Sequence, residues 1–305
     1  MRYGPGSAGS PICNILRVIA AAIDVGTNTT RLLVARVEAD HLTPLATDGV
    51  MTALGRGVDT TGRITDTGLD LVEHTVEAMT RQARALGAER IAIACTAVGR
   101  EAVNAPDLLA RIASATGVAP VVLSGEREAE LTYAGIVACG AADELVAADL
   151  GGGSLELMGG RAGELSWATS LAVGVRKLTE RFAVADPPAR AVWEAIVDDV
   201  TRWVDPVAAT HPTDAIVVTG GSAAALAQLA GNERLDAASL ERVADALATD
   251  TAAALAMTTG LDAPRLRLCF AGAAALEGIR RGFGLDELHV STAGLREGLV
   301  LEATR

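Results

Sequence analysis

The chain has 305 residues, half of them apolar and only 3% aromatic, which suits two α/β domains better than a sandwich stacked on rings. A net charge of -12 removes the excess of Lys and Arg that sequence-independent attraction to nucleic acid or anionic lipid requires. Lys177 is the single lysine, and no G-x-x-x-x-G-K-[ST] run occurs, which excludes a P-loop nucleotide site.

In chain order, the Gly-, Pro- and Ser-rich start reads as a flexible leader, residues 1–17 lying outside the fold. A buried strand is predicted over Val18 to Asp24, then the turn Gly26-Thr27-Asn28-Thr29 and a returning strand from Leu32 to Val37. Leu69, Val72, Val76, Met79, Ala83 and Leu86 recur at helical spacing, and Gly87 closes that helix before the strand at Ile91 to Ala94. A helix at 106–115 and a strand at Val121 to Leu123 complete a first lobe, 18–124. Ser124 stands at a helix N-cap, with Glu126, Glu128 and Glu130 in the first turns, and the helix runs to about Cys139.

The second lobe, 125–291, repeats the opening with strand Leu145 to Asp149, turn Gly151-Gly152-Gly153-Ser154 and strand Leu155 to Met158. Helical stretches at 187–209 and 237–282 flank a strand from Ala215 to Thr219, which leads into Gly220-Gly221-Ser222. A last strand, about Glu287 to Val290, is followed by Ser291 as a cap and a C-terminal helix within about 292–305 that packs back on the first lobe.

No apolar run reaches the roughly 18 residues needed to cross a bilayer. Cys13, Cys95, Cys139 and Cys269 form no C-x-x-C pair and follow no signal peptide, so the expected location is a reducing cytoplasm. His41, His74, His211 and His289 match no metal spacing.

The chemistry concentrates at the turns. Glycine lets backbone amides approach an anion without Cβ obstruction, so Gly151, Gly152, Gly153 and Ser154 form a candidate phosphate nest. One glycine run alone is more often a plain tight turn. Two matching runs, with a third at Gly220, Gly221 and Ser222, favour anion binding. Asp24 and Asp149 end buried strands beside these turns, where a carboxylate holds Mg²⁺ or another divalent cation; a simple turn-forming Asp is the alternative. Strand alternation turns Glu156 toward the same face, making it a third candidate metal ligand.

The segments AAIDVGTNTTRLLVA, LSGEREAELTYAGI, VAADLGGGSLELM, SLAVGVRKLTERF and STAGLREGL resemble the exopolyphosphatase/guanosine pentaphosphate phosphatase (Ppx/GppA) family, from about Ile19 to Leu299. The resemblance implies an α/β fold of two ribonuclease H-like lobes, of the actin/hexokinase/Hsp70 superfamily, around an interlobe cleft. It implies Glu128 as the base that activates water, with Asp149 and Glu156 at the metal. Thr27, Asn28, Thr29 and Arg31 would contact phosphate, and Arg100 matches the family's arginine of a Thr-Ser-Ala-Val-Arg-like segment. The chain departs from the family at Arg127, where a glutamate is usual, at Ala97-Val98-Gly99 and at Val175. A cation at position 127 would depress the pKa of Glu128 or attract phosphate.

The expected substrate is inorganic polyphosphate, with short chains favoured by the lack of further C-terminal domains. Guanosine pentaphosphate hydrolysis, a small-molecule kinase of the same superfamily and a non-catalytic polyphosphate or alarmone sensor are the alternatives. No nucleic acid or membrane partner is expected, and a homodimer is compatible with this reading.

Overall fold

A computed structural model describes residues 17–38, 41–140 and 144–305. Its strands are β1 (Arg17–Val25), β2 (Thr29–Glu38), β3 (His41–Met51), β4 (Arg90–Cys95), β5 (Val121–Val122), β6 (Glu144–Leu150), β7 (Leu155–Arg161), β8 (Glu164–Leu171), β9 (Val217–Thr219), β10 (Arg234–Asp236) and β11 (Glu287–Val290). The helices are α1 (Val58–Thr61), α2 (Asp66–Ala85), α3 (Ala97–Glu101), α4 (Ala105–Thr116), α5 (Gly125–Ala138), α6 (Val175–Arg181), α7 (Trp193–Thr210), α8 (Gly221–Ala230), α9 (Ala237–Ala248), α10 (Ala252–Thr259), α11 (Ala263–Gly282) and α12 (Leu295–Thr304).

The strands form two sheets, ordered β3-β2-β1-β4-β5 and β8-β7-β6-β9-β11-β10. In each, three antiparallel strands run into parallel ones, β1 with β4 and β4 with β5 in the first, β6 with β9 and β9 with β11 in the second. The order 3-2-1-4-5 therefore occurs twice, the second sheet adding the antiparallel edge strand β10. This is the two-lobe actin-like architecture.

Strand alternation explains why the first sheet is covered on both faces. Ala21, Ile23 and Val25 of β1 join Leu32 and Val34 against α2 and α4, whereas Ala20 and Ala22 join Leu33 and Ala35 against Leu131 of α5 and Leu295, Leu299 and Val300 of α12. The C-terminal helix thus packs on the first sheet and on α5. In the second lobe the long helices α7 and α11 bury Trp193, Ile196, Val197, Phe270 and Leu276 over Ala148, Leu150, Leu155 and Leu157.

Several boundaries differ from expectation for local reasons. Arg17, assigned to the leader, is the first residue of β1 and pairs with Glu38; residues 1–16, including Cys13, lie outside the described residues. Ser291 does not cap the last helix. Its N-cap is Gly294, whose amide donates to Glu297 at 2.8 Å. The expected helical stretch 237–282 is three helices, restarted by Thr251 and Asp262, whose side chains accept from Ala254 and Arg265 amides. The sequence reading missed β3, β8 and β10, short or edge strands whose exposed positions blur the apolar alternation.

Candidate active site

Each lobe ends its first strand in the same turn. In the first, the Gly26 amide donates to the Thr29 carbonyl at 3.1 Å; in the second, the Gly151 amide donates to the Ser154 carbonyl at 3.0 Å. The turn carbonyls are then consumed by the following segments. Asn28 and Thr27 accept from Ala53 and Gly55 at 2.9 and 2.7 Å, while Gly151 and Gly152 accept from Val175 and Arg176 at 3.0 Å each. The amides of Thr27, Asn28, Gly152 and Gly153 donate to no protein acceptor among the described residues. Amides left open beside engaged carbonyls make an anion nest.

The two turns meet in the lining of a cleft of about 570 Å³, where a Cβ on Gly152 would lie 3.2 Å from the Asn28 Cβ. Asp24, Thr27, Asn28, Thr29 and Arg31 line it from the first lobe, and Asp149, Gly151, Gly152, Gly153, Ser154, Gly220, Gly221 and Ser222 from the second. Glu128, the fourth residue of α5, also lines the cleft. Ser124 fixes that helix start by accepting from the Arg127 amide at 3.1 Å. Arg127 itself turns away to Glu130 and Glu302, and the charges that shift Glu128 are those of Glu156, Arg100 and Asp149.

Two predicted residues sit behind the lining. Arg100 donates to the Glu128 carboxylate and to the Leu123 carbonyl, both at 2.7 Å, and lies 3.9 Å from Glu156. The expected phosphate contact is thus a carboxylate partner here. Glu156 is 1% exposed and accepts from the Ser170 hydroxyl at 2.8 Å.

Burial sets the electrostatics. It pushes the Glu128 carboxyl well above the usual range; the Glu156 charge adds to the rise and Arg100 opposes it. Glu156 is pushed up to about 7 by burial and by Asp149. Asp24 rises to about 6 through burial, with Arg31 opposing and Asp149 adding. Burial also raises Asp149. Arg31 is lowered to about 10 by burial and by Arg296, Asp24 acting against them.

The donor set fits a divalent cation in part. Asp24 and Asp149 are half-buried carboxylates at the ends of the two central strands, and the Asp24 Oδ1 atom is buried with no hydrogen-bond partner. Two carboxylates plus water and phosphate oxygens are a usual Mg²⁺ shell. Among the described residues no three His, Cys, Asp or Glu side chains gather as a metal cage, so Asp24 and Asp149 do not form one three-carboxylate cage with Glu156. Strand pairing put it on the expected face, but its carboxylate is held by Ser170 beside Arg100.

The sequence reading missed Arg265 and Arg296, which line the cleft and donate to the Gly221 and Leu32 carbonyls, each at 3.4 Å. Arg296 falls in the STAGLREGL segment and was findable there. Arg265 enters from the first turn of α11, and no local pattern signals it.

The model of the Ppx/GppA phosphatase family matches residues 33–305. The chain belongs to this family. Exopolyphosphatase 1 of Mycobacterium tuberculosis is 31% identical over 301 residues, spanning 92% of this chain and 86% of that protein. Exopolyphosphatase 2 of the same species is 30% identical over 313 residues, spanning 92% and 97%. A solved structure of the Aquifex aeolicus PPX-GPPA enzyme superposes with a TM-score of 0.78 at 25% identity, covering 94% of this chain and all of that one. Among the described residues, no helix of this Ppx/GppA phosphatase is long and apolar enough to cross a membrane.

Proposed function

We propose that this Ppx/GppA phosphatase releases terminal phosphate from inorganic polyphosphate, with short chains preferred and Glu128 as the base. The observation that carries the proposal is a buried glutamate of raised pKa on the cleft wall, opposite two turns whose amides are open. Phosphoanhydride hydrolysis asks for little more than water held in line and neutralised equatorial oxygens.

In this reading the Thr27, Asn28, Gly152 and Gly153 amides orient the terminal phosphoryl oxygens, and Arg31, Arg265 and Arg296 offset the charge of the units behind it. Glu128, kept in place by Arg100, takes the proton of the attacking water. Asp24 and Asp149 would hold a divalent cation, Mg²⁺ being the natural choice, which supplies further neutralisation of the phosphate oxygens. A cleft of about 570 Å³ offers contacts over a limited length of chain, which supports the short-chain preference. Unpaired Cys95, Cys139 and Cys269 support a cytoplasmic setting.

The test is phosphate release from polyphosphates of graded length and from guanosine pentaphosphate, with native protein and Glu128→Gln. Release from polyphosphate is expected to fall by about 10²- to 10⁴-fold in the variant, without loss of folding, and to stop on chelation of divalent cations. Turnover of guanosine pentaphosphate alone would replace the substrate. Tight binding without turnover, unchanged in Glu128→Gln, would replace the enzyme by a sensor.

A further inference from the structure

The second sheet carries one polar row across four strands. Thr219 of β9 pairs with Asp149 of β6, Asp149 with Glu156 of β7, and Glu156 with Ser170 of β8. Directly opposed residues of neighbouring strands project to one face, so these four side chains share it. Asp149 and Glu156, in the middle, belong to the site already described. The outer members touch the starts of the two helices that cross between the lobes. The Thr219 hydroxyl donates to the Ala293 carbonyl at 2.8 Å, just before α12. The Ser170 hydroxyl donates to Glu156 Oε1 at 2.8 Å, and its Cβ lies 2.6 Å from where a Cβ on Gly125 would stand.

Gly125 is the first residue of α5, and Glu128 follows in the same turn. A side chain at 125 would collide with Ser170, so the helix start is seated directly on this serine. Ser170 therefore touches both the acid beside the base and the helix that bears the base.

We propose that Ser170 is a positioning residue for Glu128. Its hydroxyl fixes the Glu156 carboxylate and its Cβ seats the N-terminus of α5, which sets the separation of Glu128 from Glu156. The proposal rests on Glu128 being the base, as proposed above. Loss of the hydroxyl leaves Glu156 with Ser154 as its remaining hydrogen-bond donor, lets the carboxylate turn about that bond and loosens the geometry in which Glu128 meets water.

The experiment compares Ser170→Ala, which keeps the Cβ against Gly125, with Ser170→Thr, which keeps the hydroxyl. Steady-state kinetics on polyphosphate, thermal melts and crystal structures are recorded for both. Ser170→Ala is expected to lower kcat by about 10- to 100-fold, with KM within about 2-fold of native and an unchanged melting temperature; Ser170→Thr restores much of kcat. A native kcat in Ser170→Ala overturns the proposal. So does a parallel loss in both variants with lowered melting temperatures, which marks a packing role alone. If the native protein releases no phosphate, the functional reading fails by itself and the structures decide for Ser170. A rotated Glu156 in Ser170→Ala, with Gly125 in place on the retained Cβ, then supports the proposal, and an unmoved Glu156 overturns it.

Discussion

The turn after β1 and the turn after β6 are built alike, with an aspartate one residue before the strand ends, an i-to-i+3 backbone bond and carbonyls tied down behind. They differ in what stands across the ladder from that aspartate. In the first lobe Asp24 is paired with Arg31, and in the second Asp149 is paired with Glu156. Arg31 reaches over the cleft so closely that a Cβ on Gly221 would lie 1.5 Å from its Nη2, whereas Glu156 stays buried beside Ser170 and Arg100. A duplicated scaffold thus supplies the same amide nest twice. One position per hairpin differs in the sign of its charge: it sets a cation over the cleft in the first lobe and a buried acid beside Arg100 in the second.

The largest test of this asymmetry uses stability. Arg31→Gln leaves the half-buried Asp24 with Arg296 as its remaining opposing cation and is expected to cost about 3 kcal/mol at most, partly relieved as Asp24 takes up a proton. Glu156→Gln has the opposite sign. Because the folded pKa of Glu156, about 7, lies above its ordinary 4.5, ionising it costs more in the folded state than in the unfolded state. Its favourable contribution is complete below the unfolded value and is lost as pH rises through the folded value. The metal-free variant should therefore match native stability near pH 4 and exceed it above pH 7 by on the order of 2 kcal/mol. Urea denaturation of both variants across that pH range checks each sign, and a loss of stability in Glu156→Gln at pH 8 would break the comparison.

A smaller effect is expected on the acid limb of the pH–rate profile. The Glu156 charge raises Glu128 and Arg100 lowers it. Glu156→Gln should move the midpoint to lower pH, and Arg100→Gln should move it to higher pH, each by about one unit. Shifts in the same direction would show that the titrating group is not held between these two.

The smallest effect concerns the one lysine. Lys177 of α6 in the second lobe pairs with Glu101 of α3 in the first at 2.6 Å, with 16% and 31% of the side chains exposed. Solvent access limits such a pair, so Lys177→Ala should change unfolding stability by no more than about 1 kcal/mol. A double-mutant cycle with Glu101→Gln measures the coupling.

Much of this was legible along the chain because it rests on local chemistry. Apolar strands ending in Asp-x-Gly, and Ser124 ahead of an acidic first helical turn, signal turns and caps within a few residues. Glu128 was legible through the family segment it sits in. The C-terminal cap was misread because Ser291 is a good local cap, while the native start at Gly294 depends on Glu297 folding back.

The sequence by itself determined two glycine-bearing hairpins, their terminal aspartates and the capped helix that carries Glu128, because turn and cap preferences act over short spans. Only the tertiary structure decided that Arg100 holds Glu128, that Ser170 donates to Glu156, and that Arg265 enters the cleft. Those contacts join residues tens to hundreds of positions apart. Strand register and lobe packing bring them together, and no local pattern encodes either.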